Sequence, residues 1–354
     1  MKHLLYVLLF MVVMVIVLFH DDYTRKKTTD SYPNLDILQN CRANKTEFLL
    51  EKELFGSADR FGPAYSLITC ATDGLALIDS TARVVEKKIR NCTPEKIISI
   101  LNSLVYDTWG VVFDTDRNDL ENMLPGCVLH NRKGSCIGIA ALYLLLAEKL
   151  SLPIYGIVVP GHFFVRYDDG MYRRNIESLK KGEHRDESWY KEHFGATAVQ
   201  ISSYEFTGLF YYNIGNIYLQ NNEIQMALEM YRLALNKNLS LAQCWGNYAI
   251  AHEKVGNLDS ALYYMQIAGR MNPQLKGIQE STALLLSRIG RFKESIDIYQ
   301  RLLKSDRDNP SLYYDLAYAY LSSNKKKKAR KTIIKLREIS ENYPGIKDLL
   351  KEIN

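Results

Sequence analysis

Several absences narrow the functions open to this sequence. It has no marked charge excess: 45 Lys and Arg stand against 40 Asp and Glu, a formal net charge of +5 over 354 residues. Composition therefore gives no reason to expect a nucleic-acid partner. Its six cysteines include no Cys-x-x-Cys pair and no zinc-finger spacing, so no metal site and no cofactor is expected. Cys41, Cys70, Cys92 and Cys127 fit two roles equally, disulfide partners in an oxidising compartment or buried thiols.

A cleavable leader is missing too. The apolar run Leu4 to Phe19 is followed by His20, Asp21 and Asp22, with no small residues at the positions a signal peptidase reads. No cysteine follows closely enough to carry a lipid. The run is short for a bilayer, reaching roughly 24 Å as a helix, but Lys2 beside it can snorkel. An uncleaved membrane anchor over residues 1–20 is the expectation. Arg25, Lys26 and Lys27 argue for a cytoplasmic body, whereas the short positive start and Asp21-Asp22 favour export; the reading taken is a periplasmic or cell-surface body. The basic run Lys325 to Lys331 reads as a solvated helix face rather than an anion site.

A polar linker is expected over residues 21–60. A helix follows through Leu75 to Arg90, then a second with Thr93 as N-cap and Pro94 at its first position. Next come a loop holding Leu124-Pro125-Gly126, a helix from Ile137 to Lys149, a strand over Tyr155–Val159 and a hairpin from His162 to Glu177. Helices followed by strands predict an α+β domain over residues 61–200.

From residue 206 the pattern is helical only, and a 34-residue period emerges. Ala227, Ala261, Ser295 and Ala329 share it, as do Asn222, Gly256, Gly290 and Asn324. That is the period of tetratricopeptide repeats, about four of them over 206–354, which stack into an all-α solenoid with a groove for a protein or peptide partner. By analogy with other such arrays, groove-facing candidates are Tyr212, Asn216, Ile250, Glu253, Tyr314 and Tyr318. The set lacks the Lys and Arg residues that would clamp a carboxylate.

One thiol stands out. Cys136, in "GSCIGIAALYLLL", sits where a polar loop becomes an apolar helix. A helix N-terminus favours a thiolate, yet a lone cysteine on an apolar helix is equally a small core residue. The hairpin adds a partner. If Asp169-Gly170 is its two-residue turn, Asp168 pairs with Met171 and His162 lies directly across from Glu177, within reach for a carboxylate to orient an imidazole. Asn175, diagonal on the same face, is the second candidate orienter. A strand-end histidine and a solvent-facing glutamate remain the plain alternative.

The segment "NRKGSCIGIAALYLLLAEKLSLPIYGIVVPGHFFVRYDDG" followed by "RRNIES" resembles the transglutaminase-like superfamily, in particular the bacterial SirB-type branch, whose members often carry C-terminal tetratricopeptide repeats. The resemblance spans Asp73 to Gly195. It implies a papain-like core with a Cys-His-Asp/Glu triad falling on Cys136, His162 and Glu177. Glu177 stands where the wider superfamily usually has Asp, and Ser178-Leu179 follow where Pro-Thr is common. Branches exist in which the cysteine is replaced; here it is retained. The implied chemistry is attack of the Cys136 thiolate on an amide carbonyl, with His162 as proton carrier and Glu177 as its orienter. The function expected is a membrane-anchored cysteine enzyme, an amide hydrolase or acyl transferase of unknown substrate. The alternative is a non-catalytic membrane-tethered scaffold.

Overall fold

The computed structural model describes residues 50–55, 65–116, 119–195 and 197–353. The expected anchor, Leu4 to Phe19, lies outside the described residues, among which no helix is long and apolar enough to cross a membrane. Part of the expected polar linker proves to be core. Helix α1 (Leu50–Phe55) buries Leu50, Leu54 and Phe55, an apolar face repeating at four residues. Its first amides, at Leu50 and Glu51, donate to the Glu148 carboxylate at 2.7 and 3.2 Å, which satisfies donors that a helix start leaves open.

Helix α2 (Tyr65–Ile89) starts earlier than expected and buries Ile78, Ala82, Val85 and Ile89 along one stripe. Helix α3 (Pro94–Asn102) begins at Pro94 after an extended Thr93, but the Thr93 side chain makes no capping bond. A π-helical turn, Ser103–Thr108, continues it. The segment expected as a loop at Leu124-Pro125-Gly126 is the start of helix α4 (Pro125–Asn131), with Pro125 in the first turn where no amide is needed. Short strands β1 (Val112–Phe113) and β2 (Lys133–Gly134) pair in parallel just before helix α5 (Cys136–Leu150). Residues Ile137 through Ala147 of α5 are all buried, so it is the central helix of the domain.

Strands β3 (Ile154–Val159), β4 (His162–Asp168), β5 (Arg173–Ile176) and β6 (Val199–Ile201) form an antiparallel sheet in the order β5-β4-β3-β6. Alternate residues divide its faces. Phe163 and Val165 join the main core with α5, while Ile157, Val159 and Phe164 pack under helix α6 (Glu187–Phe194), whose Tyr190 is fully buried.

Four helix pairs follow: α7 (Ser203–Gln220) with α8 (Ile224–Lys237), α9 (Ala242–Lys254) with α10 (Leu258–Met271), α11 (Ile278–Arg288) with α12 (Phe292–Ser305), and α13 (Pro310–Ser322) with α14 (Lys326–Ile339); α15 (Ile346–Ile353) comes last. The period seen in the sequence has a physical meaning at both sets of positions. Asn222, Gly256, Gly290 and Asn324 all take left-handed backbone, with φ of 62°, 84°, 83° and 58°, which Gly and Asn adopt at least cost. Ala227, Ala261, Ser295 and Ala329 are each fully buried, small where helices cross. Ser295 keeps its hydroxyl paired with that of Ser287 at 3.0 Å.

The repeats share the core of the first domain. One apolar cluster runs from Leu50 to Leu286, and the ring of Phe163 on β4 lies 5.1 Å from that of Phe206 on α7. Gly156 makes this possible, because a Cβ there would stand 2.6 Å from Phe163 Cζ. Tyr211 and Lys237 on the first repeat both bond Glu53 on α1.

Candidate active site and repeat groove

Cys136 is the first residue of α5, and the loop before it is held tightly. Ser135 caps the helix, its Oγ accepting the Gly138 amide at 3.3 Å, while its own amide donates to the Asn122 carbonyl at 2.8 Å. Position 138 has no room for a side chain: a Cβ would lie 2.2 Å from that same carbonyl oxygen. This close approach fixes Cys136 at the helix end, with first-turn amides that have no acceptor within the helix. The thiol is half-buried.

The hairpin differs from the expected register. Asp168 pairs with Arg173 and Arg166 with Asn175, and the Asp169 amide donates to the Tyr172 carbonyl at 3.2 Å. The turn therefore centres on Gly170-Met171, one residue later than expected, where the Asp169 carboxylate accepts the Met171 and Tyr172 amides. Each partner moves by two residues, and an even shift keeps every side chain on its face. His162 and Glu177 thus remain on one face, set diagonally rather than directly opposite.

They meet nonetheless. His162 Nε2 lies 3.0 and 2.9 Å from the two Glu177 oxygens, with His162 8% exposed and Glu177 fully buried. With Nε2 so engaged, Nδ1 is the ring nitrogen left for the Cys136 thiol, which acts on the imidazole from its other side. Burial on its own would push the imidazole down. The hydrogen bonds to Cys136 and Glu177, with their charges, outweigh it and raise His162 to about 9. At neutral pH the ring is an imidazolium.

Glu177 is held by groups the sequence reading did not single out. Its Oε1 accepts the Leu179 amide at 3.0 Å, and its Oε2 accepts the Tyr190 hydroxyl at 3.0 Å. Burial and then the charge of Glu177 push the Tyr190 phenol far above its ordinary range, so it stays a donor. Tyr190 stacks on Phe164 with ring centroids 4.0 Å apart, and Phe194 stacks on His162 at 5.2 Å. The only sign of this in the sequence is the aromatic density of Trp189-Tyr190 and Phe194 within a polar stretch.

Asn175 does not touch His162. Its Oδ1 accepts from Arg166 Nε at 2.6 Å and its Nδ2 donates to the Arg185 carbonyl at 2.8 Å; Arg166 also bonds Glu187. This buried network ties the start of α6 to the sheet, and it is where the side chain of Asn175, the second candidate orienter, is engaged. Cys92, Cys136 and Cys244 are free thiols, which removes Cys92 from the disulfide option.

Much of the proposed groove set is used within the array. Asn216 accepts from Tyr231 at 2.9 Å and from Asn247 at 2.8 Å, and Tyr212 accepts from Asn247 at 3.4 Å. Ile250 packs on the main core, and Glu253 pairs with Arg288. Tyr314 is covered by Tyr343, with ring centroids 5.5 Å apart. Tyr318, 42% exposed, stays open.

Comparison with known proteins agrees with this division. Residues 73–202 match the transglutaminase-like superfamily model, and residues 210–236 and 290–353 match tetratricopeptide repeat models. The chain is similar to UPF0162 protein PM0557 of Pasteurella multocida, 32% identical over 91 residues, which are 25% of this chain and 34% of that protein. It is also similar to anaphase-promoting complex subunit 3 of Schizosaccharomyces pombe, 22% identical over 192 residues, 50% of this chain and 28% of that one. The chain thus spans about a third of each of these relatives. Similar solved structures include YrrB, a TPR protein with an unusual peptide-binding site, at 18% identity and TM-score 0.39 over 42% of this chain and 80% of that one. MamA is similar at 16% identity and TM-score 0.36, over 39% and 80%. This chain carries a transglutaminase-like domain over residues 73–202, followed by C-terminal tetratricopeptide repeats.

Proposed function

We propose that this chain is a cysteine enzyme acting on amides, with its repeats holding a protein partner or substrate. The observation that carries the reading is His162 between a thiol at a helix N-terminus and a buried carboxylate. In that order Cys136 attacks the carbonyl carbon as thiolate, and the acyl–sulfur bond forms as the amide C–N bond breaks. The imidazolium of His162 gives its proton to the leaving amine, and Glu177 keeps the ring in place. The first-turn amide of Cys136, which has no acceptor within the helix, is the donor this reading assigns to the oxyanion. Water or an amine then takes the acyl group, giving hydrolysis or transamidation.

The test is alkylation of Cys136 by iodoacetamide across pH. An inflection well below the ordinary thiol value of about 8.5, lost in His162→Ala, supports the enzyme; slow reaction at every pH in the folded protein leaves the non-catalytic scaffold as the reading. The same proposal has Leu4 to Phe19 anchoring the chain with its body outside the cytoplasm. A membrane-impermeant thiol probe that labels Cys136 only after cells are opened would reverse that orientation.

A further inference from the structure

Corresponding places in the first and third repeats are finished differently. In the first, the Tyr231 hydroxyl, Tyr212, Asn216 and Asn247 close into one hydrogen-bonded cluster, at positions that analogy with other arrays assigns to the groove. Two 34-residue periods later the same positions are Tyr299, Glu280, Leu284 and Asp315. The acceptor that served Tyr231 has become a leucine. Tyr299 is fully buried and its hydroxyl makes no well-formed hydrogen bond; it looks toward the carboxylates of Asp315, the nearer in effect, and Glu280.

Neither carboxylate has an ion-pair partner among the described residues, and Glu280 accepts only a long 3.5 Å bond from Ser311. Burial, and then the charge of Glu280, push the Asp315 carboxyl up to about 6, with the Tyr299 hydroxyl acting the other way. Two half-buried acids with no cation between them are a costly arrangement. One turn along each helix, Leu284 and Tyr318 are 36% and 42% exposed, an apolar and aromatic margin beside the acids.

We propose that this groove takes the cationic side chain of a partner peptide, a Lys or Arg set among apolar residues, between Glu280 and Asp315. The ammonium or guanidinium neutralises the two carboxylates, and its aliphatic stem lies along Leu284 and Tyr318. The proposal rests on the repeats being a peptide-binding array, and is independent of the thiol chemistry.

The experiment is fluorescence anisotropy of the full chain with four dye-labelled, end-blocked peptides, Ala-Leu-Xaa-Tyr-Ala-Leu, where Xaa is Arg, Lys, Gln or Glu. The Arg and Lys peptides are expected to bind at least tenfold more tightly than the Gln peptide, with the Glu peptide weakest. A Glu280→Gln, Asp315→Asn double variant should erase the difference while keeping the thermal transition of the parent; should that variant not fold, Asp315→Asn alone should reduce the preference. Binding indifferent to Xaa overturns the proposal and leaves the peptide-binding reading standing. Binding of none of the four overturns both, and a preference that survives the substitutions overturns the assignment to these residues.

Discussion

The Tyr190 hydroxyl donates to Glu177 Oε2 at 3.0 Å, the same oxygen that lies 2.9 Å from His162 Nε2. A residue 13 positions beyond the hairpin therefore shares the carboxylate that holds the proposed general acid. Tyr190→Phe keeps the stack on Phe164 and removes that donor. Loss of one buried hydrogen bond to a charged group should destabilise the protein by about 1.5–3 kcal/mol in urea unfolding. With one fewer donor, Glu177 holds the imidazolium more strongly, so the His162 titration read by NMR should move upward.

Glu177 and Asn175 should separate cleanly. Glu177→Gln removes the charge facing His162 and should slow alkylation of Cys136 at neutral pH by tenfold or more. Asn175→Ala strips Arg166 of its 2.6 Å acceptor, and should lower stability by about 1–3 kcal/mol while leaving the thiol reaction at the parent rate. An Asn175 variant with the larger kinetic effect would contradict this division.

His162 also predicts a pH dependence. Its value is raised in the folded chain to about 9 from an ordinary value of about 6.5 when unfolded. Its contribution to stability is therefore complete below about pH 6.5 and fades as pH rises through about 9. The stability difference between the parent and His162→Gln should shrink over that window. Catalysis by the imidazolium should fall along the same limb, since the proton given to the leaving amine is then missing.

Gly138→Ala places a methyl group 2.2 Å from the Asn122 carbonyl oxygen. Backbone offers no soft direction in which to yield, so the loop must move and Ser135 must give up part of its capping geometry. A loss of at least about 2 kcal/mol is expected, together with a slower Cys136, measured by chemical unfolding and by alkylation of the folded fraction.

The site was partly legible in the sequence because two of its cues are local. A helix beginning at Cys136 and a hairpin carrying His162 and Glu177 follow from apolar patterning and a Gly-containing turn. The turn sits one residue later than Asp169-Gly170 implies, since the Asp169 side chain caps Met171 and Tyr172. The pairing error was even, so the faces survived it. Tyr190 and Phe194 were not legible, because they reach the site through the tertiary packing of α6 and follow no period that points there. The repeats were the most legible part: left-handed turns at Asn222, Gly256, Gly290 and Asn324 demand particular residues at a fixed spacing. The bond between Asn175 and Arg166 was not legible either, because sharing a face with His162 says nothing about a buried Arg166 nearer to hand.

The ring of Phe163 resting on Phe206, and the bonds from Tyr211 and Lys237 to Glu53, bear on where this molecule can be divided. A cut at residue 202, the end of the family match, would strip α7 from the underside of the sheet and leave Phe163 and helix α1 facing water. A fragment that keeps this surface covered therefore has to run at least through Lys237, and the apolar cluster it cuts continues to Leu286. The first repeat belongs, as a foundation stone, to the transglutaminase-like half, resting on helix α1 and on the strand that carries His162.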